Sequence, residues 1–256
     1  RYLFTQHSNR SLMAINTEKN SYTIAFAVVM VVIVGSLLAF VSSTLKEQIS
    51  TNERFEKMQN ILYAMGVNNN DESSVVFIPT SEVQTQFETY ITQQFVIQNG
   101  QVTEDPEAYL IDLKREEASE NPRLPLFVGE KDGKKFYIVP MRGKGLWDAI
   151  WGFVSVDDQK VIQGAYFDHK GETPGLGANI KMRYFMDDFI GESIEKNGAI
   201  VGVTVAKGNN DPVNEDKYDN EVDALAGATI TGNGLSAMLS SSLKKYESFF
   251  NSLSVQ

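Results

Sequence analysis

The chain has no cysteine and only two histidines, His7 and His169. Without cysteine it can form no disulfide, no thiolate metal site, no cysteine-ligated iron–sulfur cluster and no cysteine nucleophile. Two histidines are too few for a multi-histidine metal centre, so no metal-ligating residues are expected. Redox or metal chemistry would need a bound organic cofactor or an oxygen-ligand site. Basic residues are also scarce: 23 Lys and Arg stand against 33 Asp and Glu, a net charge of −10 over 256 residues. So acidic a chain repels phosphate backbones, which argues against nucleic acid as a partner. There is no strand–GxGxxG–helix unit, hence no NADH site of that kind. Internal repeats and low-complexity stretches are absent, and so are long apolar runs, with one exception.

That exception is Tyr22–Val41, YTIAFAVVMVVIVGSLLAFV, which no charge interrupts. A helix of this length spans roughly 30 Å, the hydrocarbon thickness of a bilayer. It is apolar on every face, unlike the single stripe of a core helix. It is also longer than the apolar region of a cleaved signal peptide, although small residues Ser42-Ser43-Thr44 follow it. A retained anchor is the expectation. Arg1, Arg10 and Lys19 precede the span and Lys46 follows it, which places the N-terminus in the cytoplasm and the remainder outside. Residues 1–12, ahead of a plausible start at Met13, read as an expression leader. The expected organisation is a leader and short cytoplasmic segment (1–21), an anchor helix (22–43), a helical segment (44–100) and a C-terminal domain (101–256).

After the anchor, Thr44–Met65 reads as helix, with Phe55, Met58, Leu62 and Met65 on one stripe and Gly66 as its stop. Asn68–Ser74 is a polar loop. A second helix is expected over Ser81–Phe95, opened by a Ser81/Gln84 capping box, with Val83, Phe87 and Tyr90 on one face. Tyr109–Leu113 reads as a strand. Leu124–Val139 reads as a hairpin around the turn Glu130–Gly133, and Gly152–Phe167 as another around Asp157–Lys160. A helix over Lys181–Lys196 would turn Phe185, Phe189, Ile190 and Ile194 inward. Ala199–Val205 is a further strand. The final helix is marked by Leu235, Met238, Leu239, Ser242, Leu243, Tyr246, Phe249 and Phe250 at spacings of three and four. Helices mixed with hairpins indicate an α+β domain with a largely antiparallel sheet flanked by helices.

Three motifs stand out. The first is Arg142-Gly-Lys-Gly-Leu-Trp147, where glycines permit close backbone approach and Leu146 and Trp147 offer apolar surface. Taken alone, it reads rather as a glycine-rich turn with a core tryptophan. The second is His169-Lys-Gly-Glu-Thr-Pro-Gly-Leu-Gly177, a Gly- and Pro-rich loop. Its amides, with Glu172 and Thr173, can hydrogen-bond a polar heterocycle; the alternative is an ordinary surface loop. His169 reads as a structural or turn histidine, since a hydrolytic triad would need a nucleophile that is not placed. No catalytic residue is expected. The third is Asp223-Ala-Leu-Ala-Gly-Ala-Thr229, a few residues ahead of the final helix. A phosphate on the Thr229 hydroxyl would lie near a helix N-terminus, where free N–H groups and the dipole favour negative charge. Ala226, Gly227 and Ala228 leave room for another protein to reach that hydroxyl. The alternative is a helix lead-in with Thr231 or Asn233 as N-cap. Spacing alone does not choose between them.

Taken together, in this order and behind one N-terminal anchor, the motifs resemble the C subunit of the bacterial Na+-translocating NADH:quinone reductase. The resemblance covers nearly the whole chain from about Asn16. It implies an FMN held by a phosphoester bond to the last threonine of Asp-x-x-Ser/Thr-Gly-Ala-Thr, which is Thr229 here. A flavin transferase would make the bond from FAD with a magnesium ion, and Asp223 would serve that modification. The resemblance further implies that Gly145, Leu146, Trp147, Glu172, Thr173, Gly175, Leu176 and Gly177 border the flavin, with Ala226, Gly227 and Ala228 beside the attachment point. It places the chain in the bacterial inner membrane, with the flavin domain periplasmic. There it would meet the other subunits of a larger membrane complex and relay electrons from NADH towards quinone, coupled to sodium export. The pattern departs at Ala226, where Ser or Thr is usual. The acceptor hydroxyl is untouched, so slower or weaker attachment is the most this change implies. A G subunit of the Rnf ferredoxin:NAD complex shares the anchor and the motif but is shorter; the region from about 50 to 130 favours the quinone reductase. An anchored non-redox binding or sensor domain is the reading from a different class.

Overall fold

The computed structural model describes residues 19–71, 74–208 and 214–253. The leader assigned to residues 1–12 lies outside them. The chain divides into two units, 1–51 and 52–256.

In the first unit, the described residues from 20 onward belong to α1 (Asn20–Ala64). Its apolar side chains are exposed, among them Val31, Leu38 and Phe40. It is the one helix among the described residues long and apolar enough to cross a membrane. The expected Thr44–Met65 helix is the continuation of α1 and not a separate element. In the second unit its last turns are buried from Met58 and Asn60 to Ala64, on more faces than one stripe. The stop at Gly66 is a Schellman cap. Gly66 adopts φ 76°, its N–H donates to Tyr63 O at 2.9 Å, and Val67 N–H donates to Leu62 O at 2.9 Å.

Next come α2 (Val83–Tyr90), β1 (Ile91–Gln98), β2 (Gln101–Glu104) and α3 (Leu113–Glu116). They correct two expectations. The helix expected over Ser81–Phe95 stops at Tyr90 because Ile91–Ile97 pair with β3 (Leu124–Lys131). That run is rich in β-branched and aromatic residues, and ladder bonding outweighs continued helix. Its N-cap is Glu82 without a side-chain bond, so the Ser81/Gln84 box does not form. The strand expected over Tyr109–Leu113 is instead a 3-10 turn, Ala108–Leu110, followed by α3. Asp112 caps α3, accepting from Lys114 N–H, a local bond that competes with extended pairing.

Both hairpins form as expected. β3 and β4 (Lys134–Lys144) meet at a two-residue Asp132-Gly133 turn with both φ positive, the type I′ geometry that matches strand twist. β5 (Ala149–Val156) and β6 (Ile162–His169) flank a turn in which Asp157 Oδ1 accepts from the Gln159 and Val161 amides. The sheet runs β2-β1-β3-β4-β5-β6, antiparallel throughout. Strands β3 to β6 are buried along most of their length, which requires cover on both faces. The end of α1 covers one face, where Tyr63 meets Tyr166 edge-on at 5.7 Å. The C-terminal helices α5 (Thr229–Lys244) and α6 (Glu247–Leu253) cover the other, where Tyr137 meets Phe249. Strand alternation and register put Tyr137 and Tyr166 on opposite faces.

Between β6 and α5 the chain is irregular. The helix expected over Lys181–Lys196 is reduced to a 3-10 turn, Gly177–Lys181, and α4 (Arg183–Asp187). The backbone beyond it turns to the sheet: Gly191 N–H donates to Ile162 O, and Ile162 N–H to Glu192 O. Phe185, Phe189 and Ile194 are buried as expected, but Ile190 is exposed. Four two-residue strands follow: β7 (Glu195–Lys196), β8 (Ala199–Ile200), β9 (Thr204–Val205) and β10 (Glu221–Val222). The expected Ala199–Val205 strand is split between β8 and β9 where Gly202 passes against the α5 backbone at Ser240. The final helix is also split, into α5 and α6, and Thr229 is the first residue of α5 instead of preceding it by several.

Candidate functional site

Antiparallel pairing brings the first two motifs together. Residues Gly145–Asp148 form the turn between β4 and β5, closed by Gly145 N–H donating to Asp148 O at 2.9 Å. β6 returns beside β5, so His169 ends opposite Ile150, and Lys170 N–H donates to Ala149 O. The loop after His169 therefore rises next to the Gly-Leu-Trp turn. The third motif arrives through α5. A side chain on Gly234 would strike the Lys144 carbonyl, and one on Gly143 would meet Met238 Cβ at 2.7 Å. Two glycines thus let α5 lie directly on the end of β4, with its N-terminus at the same end of the sheet.

Glu172 joins all three. Its residue is 4% exposed. Oε1 accepts from Trp147 N–H at 2.9 Å, and Oε2 accepts from the Thr231 hydroxyl at 2.5 Å. Its own N–H donates to His169 Nδ1 at 3.2 Å. Burial pushes the carboxyl pKa up. The hydrogen bonds from Thr231 and from the Trp147 and Asp148 amides, with His169 nearby, outweigh that and hold it below the ordinary carboxylate range. The group is therefore a carboxylate. Its space depends on two glycines: a Cβ at Gly145 would come 2.5 Å from Oε1, and one at Gly177 would come 2.5 Å from Oε2. A second link is the Trp147 indole Nε1–H, which donates to the Thr173 hydroxyl at 3.2 Å.

Around this buried group several large apolar side chains are exposed. Trp147 is 67% exposed, Ile230 58%, Leu146 42% and Leu176 41%. A side chain on Gly227 would meet Leu176 Cδ2 at 2.8 Å, so Leu176 lies against the Ala226–Ala228 run. Thr173, Gly175, Ala226, Gly227 and Thr229 are exposed; Gly145, Gly177 and Ala228 are buried. Asp223 is half-buried and its N–H donates to Asp188 Oδ2 at 3.0 Å.

Thr229 opens α5, behind an Ala228 N-cap that makes no side-chain bond. The first N–H groups of a helix have no intrahelical acceptor. The alternative N-caps, Thr231 and Asn233, lie inside the helix. Thr231 is two residues beyond Thr229, about 200° around the helix, and turns inward to Glu172 while Thr229 stays on the surface. The structure thus brings the three motifs together but gives Glu172 to the interior. Thr231 and Gly234 were not legible as site residues, because their partners lie far away in sequence; Gly143 stands in the first motif as a glycine of close approach, but what approaches it is Met238 of α5. The one signal was the clustering of glycines in two motifs.

An exposed hydroxyl, free helix N–H groups and a rim of apolar side chains fit a flavin phosphate and ring. Residues 145–244 match the family described as the FMN-binding domain. A solved structure, the C subunit of the Na(+)-translocating NADH-quinone reductase from Parabacteroides distasonis, superposes with a TM-score of 0.69. It is 35% identical, over 80% of this chain and 96% of that one. The chain belongs to the family of C subunits of Na(+)-translocating NADH-quinone reductases. The family member from Pseudomonas aeruginosa is 27% identical over 88% of this chain and 91% of its own length. The Shewanella oneidensis structure, at 22% identity and a TM-score of 0.64, shares the fold. The antiparallel, helix-flanked α+β domain is therefore the fold of this family.

Proposed function

We propose that this protein carries FMN as a phosphoester on Thr229 and relays electrons within a Na(+)-translocating NADH-quinone reductase. The observation that carries the reading is the position of Thr229: an exposed threonine that opens α5, at the end of the sheet where Leu146, Trp147, Leu176 and Ile230 are exposed as well. A phosphodiester at that hydroxyl keeps one negative charge, and the free N–H groups of the helix offset it. When bound, FMN supplies reversible electron uptake, and the protein supplies its placement and surroundings. Exposed Leu146, Trp147 and Leu176 would border the ring and exclude water from it. Thr173 and the Gly175 and Gly177 amides would offer hydrogen bonds to its polar edge; the Leu176 amide already donates to Thr173 O at 3.1 Å. Ala226 and Gly227 leave the hydroxyl accessible to a flavin transferase using FAD and magnesium. Ala226 removes one hydroxyl without touching the acceptor. Asp223, six residues upstream, serves that modification.

Residues 22–43 anchor the chain in the lipid of the bacterial inner membrane, with the N-terminus cytoplasmic and the flavin domain periplasmic. The other subunits of the complex supply NADH oxidation, quinone reduction and the sodium path. Thr229→Ala, co-expressed with the transferase, is expected to abolish the fluorescent flavin band on a denaturing gel. A band of undiminished intensity in that variant rejects the attachment site.

A further inference from the structure

We infer that Glu172 is the positioning residue of the flavin site, a buried carboxylate that sets the apolar rim and the attachment helix in their mutual geometry. The inference rests on attachment at Thr229 and concerns a residue that need not touch the flavin.

The argument begins with location. Glu172 lies in the loop after β6, Trp147 in the turn between β4 and β5, and Thr231 in the first turn of α5. No local bonding relates these segments; they are 25 and 59 residues from Glu172. Each carboxylate oxygen takes one of them. Charge-assisted hydrogen bonds are shorter and stronger than neutral ones, and bonds to two elements from one rigid group fix both distance and direction. The Thr231 hydroxyl at 2.5 Å is at the short end of that class. Because Thr231 is on the inner side of α5, its bond to Glu172 sets the rotation of the first turn. That rotation is what leaves the Thr229 hydroxyl outward. Likewise the Trp147 amide, held at 2.9 Å, sets the turn from which the exposed indole projects.

The packing around the carboxylate is consistent with this single purpose. Both Gly145 and Gly177 would place a Cβ 2.5 Å from one of its oxygens. The site gives up side chains in two motifs to admit a charged group that has no exposed role. His169 Nδ1 accepts from the Glu172 amide and so steadies the backbone below the carboxylate. Burying a charge is costly unless it is fully hydrogen-bonded, so the group must bring these segments into register to remain ionised. The negative charge also stands beside the first turn of α5. A flavin held at Thr229 would lie near it, and the charge would disfavour the accumulation of negative charge on a reduced ring.

The test uses the full chain co-expressed with a flavin transferase. It reads the flavin-bearing fraction by intact mass, the visible circular dichroism of the flavin, and the midpoint potential. Glu172→Ala is expected to lower the flavin-bearing fraction about tenfold, as expected for losing a charge-assisted hydrogen bond, and to reduce the visible dichroism of what remains. Glu172→Gln can accept from Trp147 and donate to Thr231, so it is expected to restore both readouts while shifting the midpoint potential upward. Should Glu172→Ala fail to fold, Thr231→Val keeps the carboxylate and removes one arm. It is expected to lose flavin and dichroism, and Thr231→Ser to recover them. Wild-type loading and dichroism in Glu172→Ala or Thr231→Val overturn the inference, as does a Glu172→Gln variant no better than the alanine. If instead the wild-type chain carries no flavin on the peptide containing Thr229, the attachment reading fails, whatever Glu172 does.

Discussion

Two buried glutamates of this protein have opposite electrostatics. Glu172 is fully bonded and held below the ordinary carboxylate range. Glu192 is fully buried as well, but Oε1 receives only Asn214 Nδ2 at 3.1 Å and Lys217 Nζ at 3.9 Å, while Oε2 has no partner. Burial raises its pKa from 4.5 to about 7, opposed by Asn214 and Lys217 and assisted by Asp219 and Asp188. The folded state therefore binds the proton more tightly than the unfolded chain. The resulting stability is fully present below about pH 4.5 and is lost as pH rises through about 7. Glu192→Gln should remove this part of the dependence. Its melting temperature should match wild type near pH 5 and exceed it by a few degrees, about 2–4 °C per kcal/mol, at pH 8. Thermal unfolding across that range checks it; parallel curves for the two proteins contradict it.

At the scale of elements, the seam between α5 and β4 rests on two glycines, Gly143 and Gly234. Replacing a helical glycine by alanine normally stabilises by roughly 0.5–1 kcal/mol. At Gly234 the sign reverses, because a Cβ there strikes the Lys144 carbonyl. Gly234→Ala is expected to cost about 1–3 kcal/mol, the usual penalty of overpacking, and to lower flavin loading by moving the α5 N-terminus. Thermal unfolding and intact mass read the two effects. Elements whose bonding is local were legible in the sequence. The Asp132-Gly133 hairpin, the Gly66 cap and the apolar spacing of α5 each carry their own signal within a few residues. Those decided by distant partners were not. Ile91–Ile97 leave the helix because β3 is there to pair with them, and Gly191–Ile194 do so because Lys160 and Ile162 take their hydrogen bonds. The same distinction applies to the site. The motif positions of Thr229, Trp147 and Gly177 were visible, whereas the inward turn of Glu172 depends on Thr231, 59 residues away.

At the scale of the whole molecule, the described residues hold one apolar helix long enough to cross a membrane and a domain whose three motifs converge at one end of an antiparallel sheet. The proposed attachment at Thr229 would suit a carrier on the periplasmic side, since a cofactor lost there is not readily replaced. The departure at Ala226 bears on this directly: if that hydroxyl only assists modification, attachment still goes to completion. The deciding measurement is the intact mass of the full chain purified from membranes of a host with the transferase, followed by peptide mapping. Attachment at Thr229 predicts a mass increase of one FMN residue, carried on the peptide containing Thr229. A bare chain, or FMN mapped to Thr173 or Thr231, would contradict it.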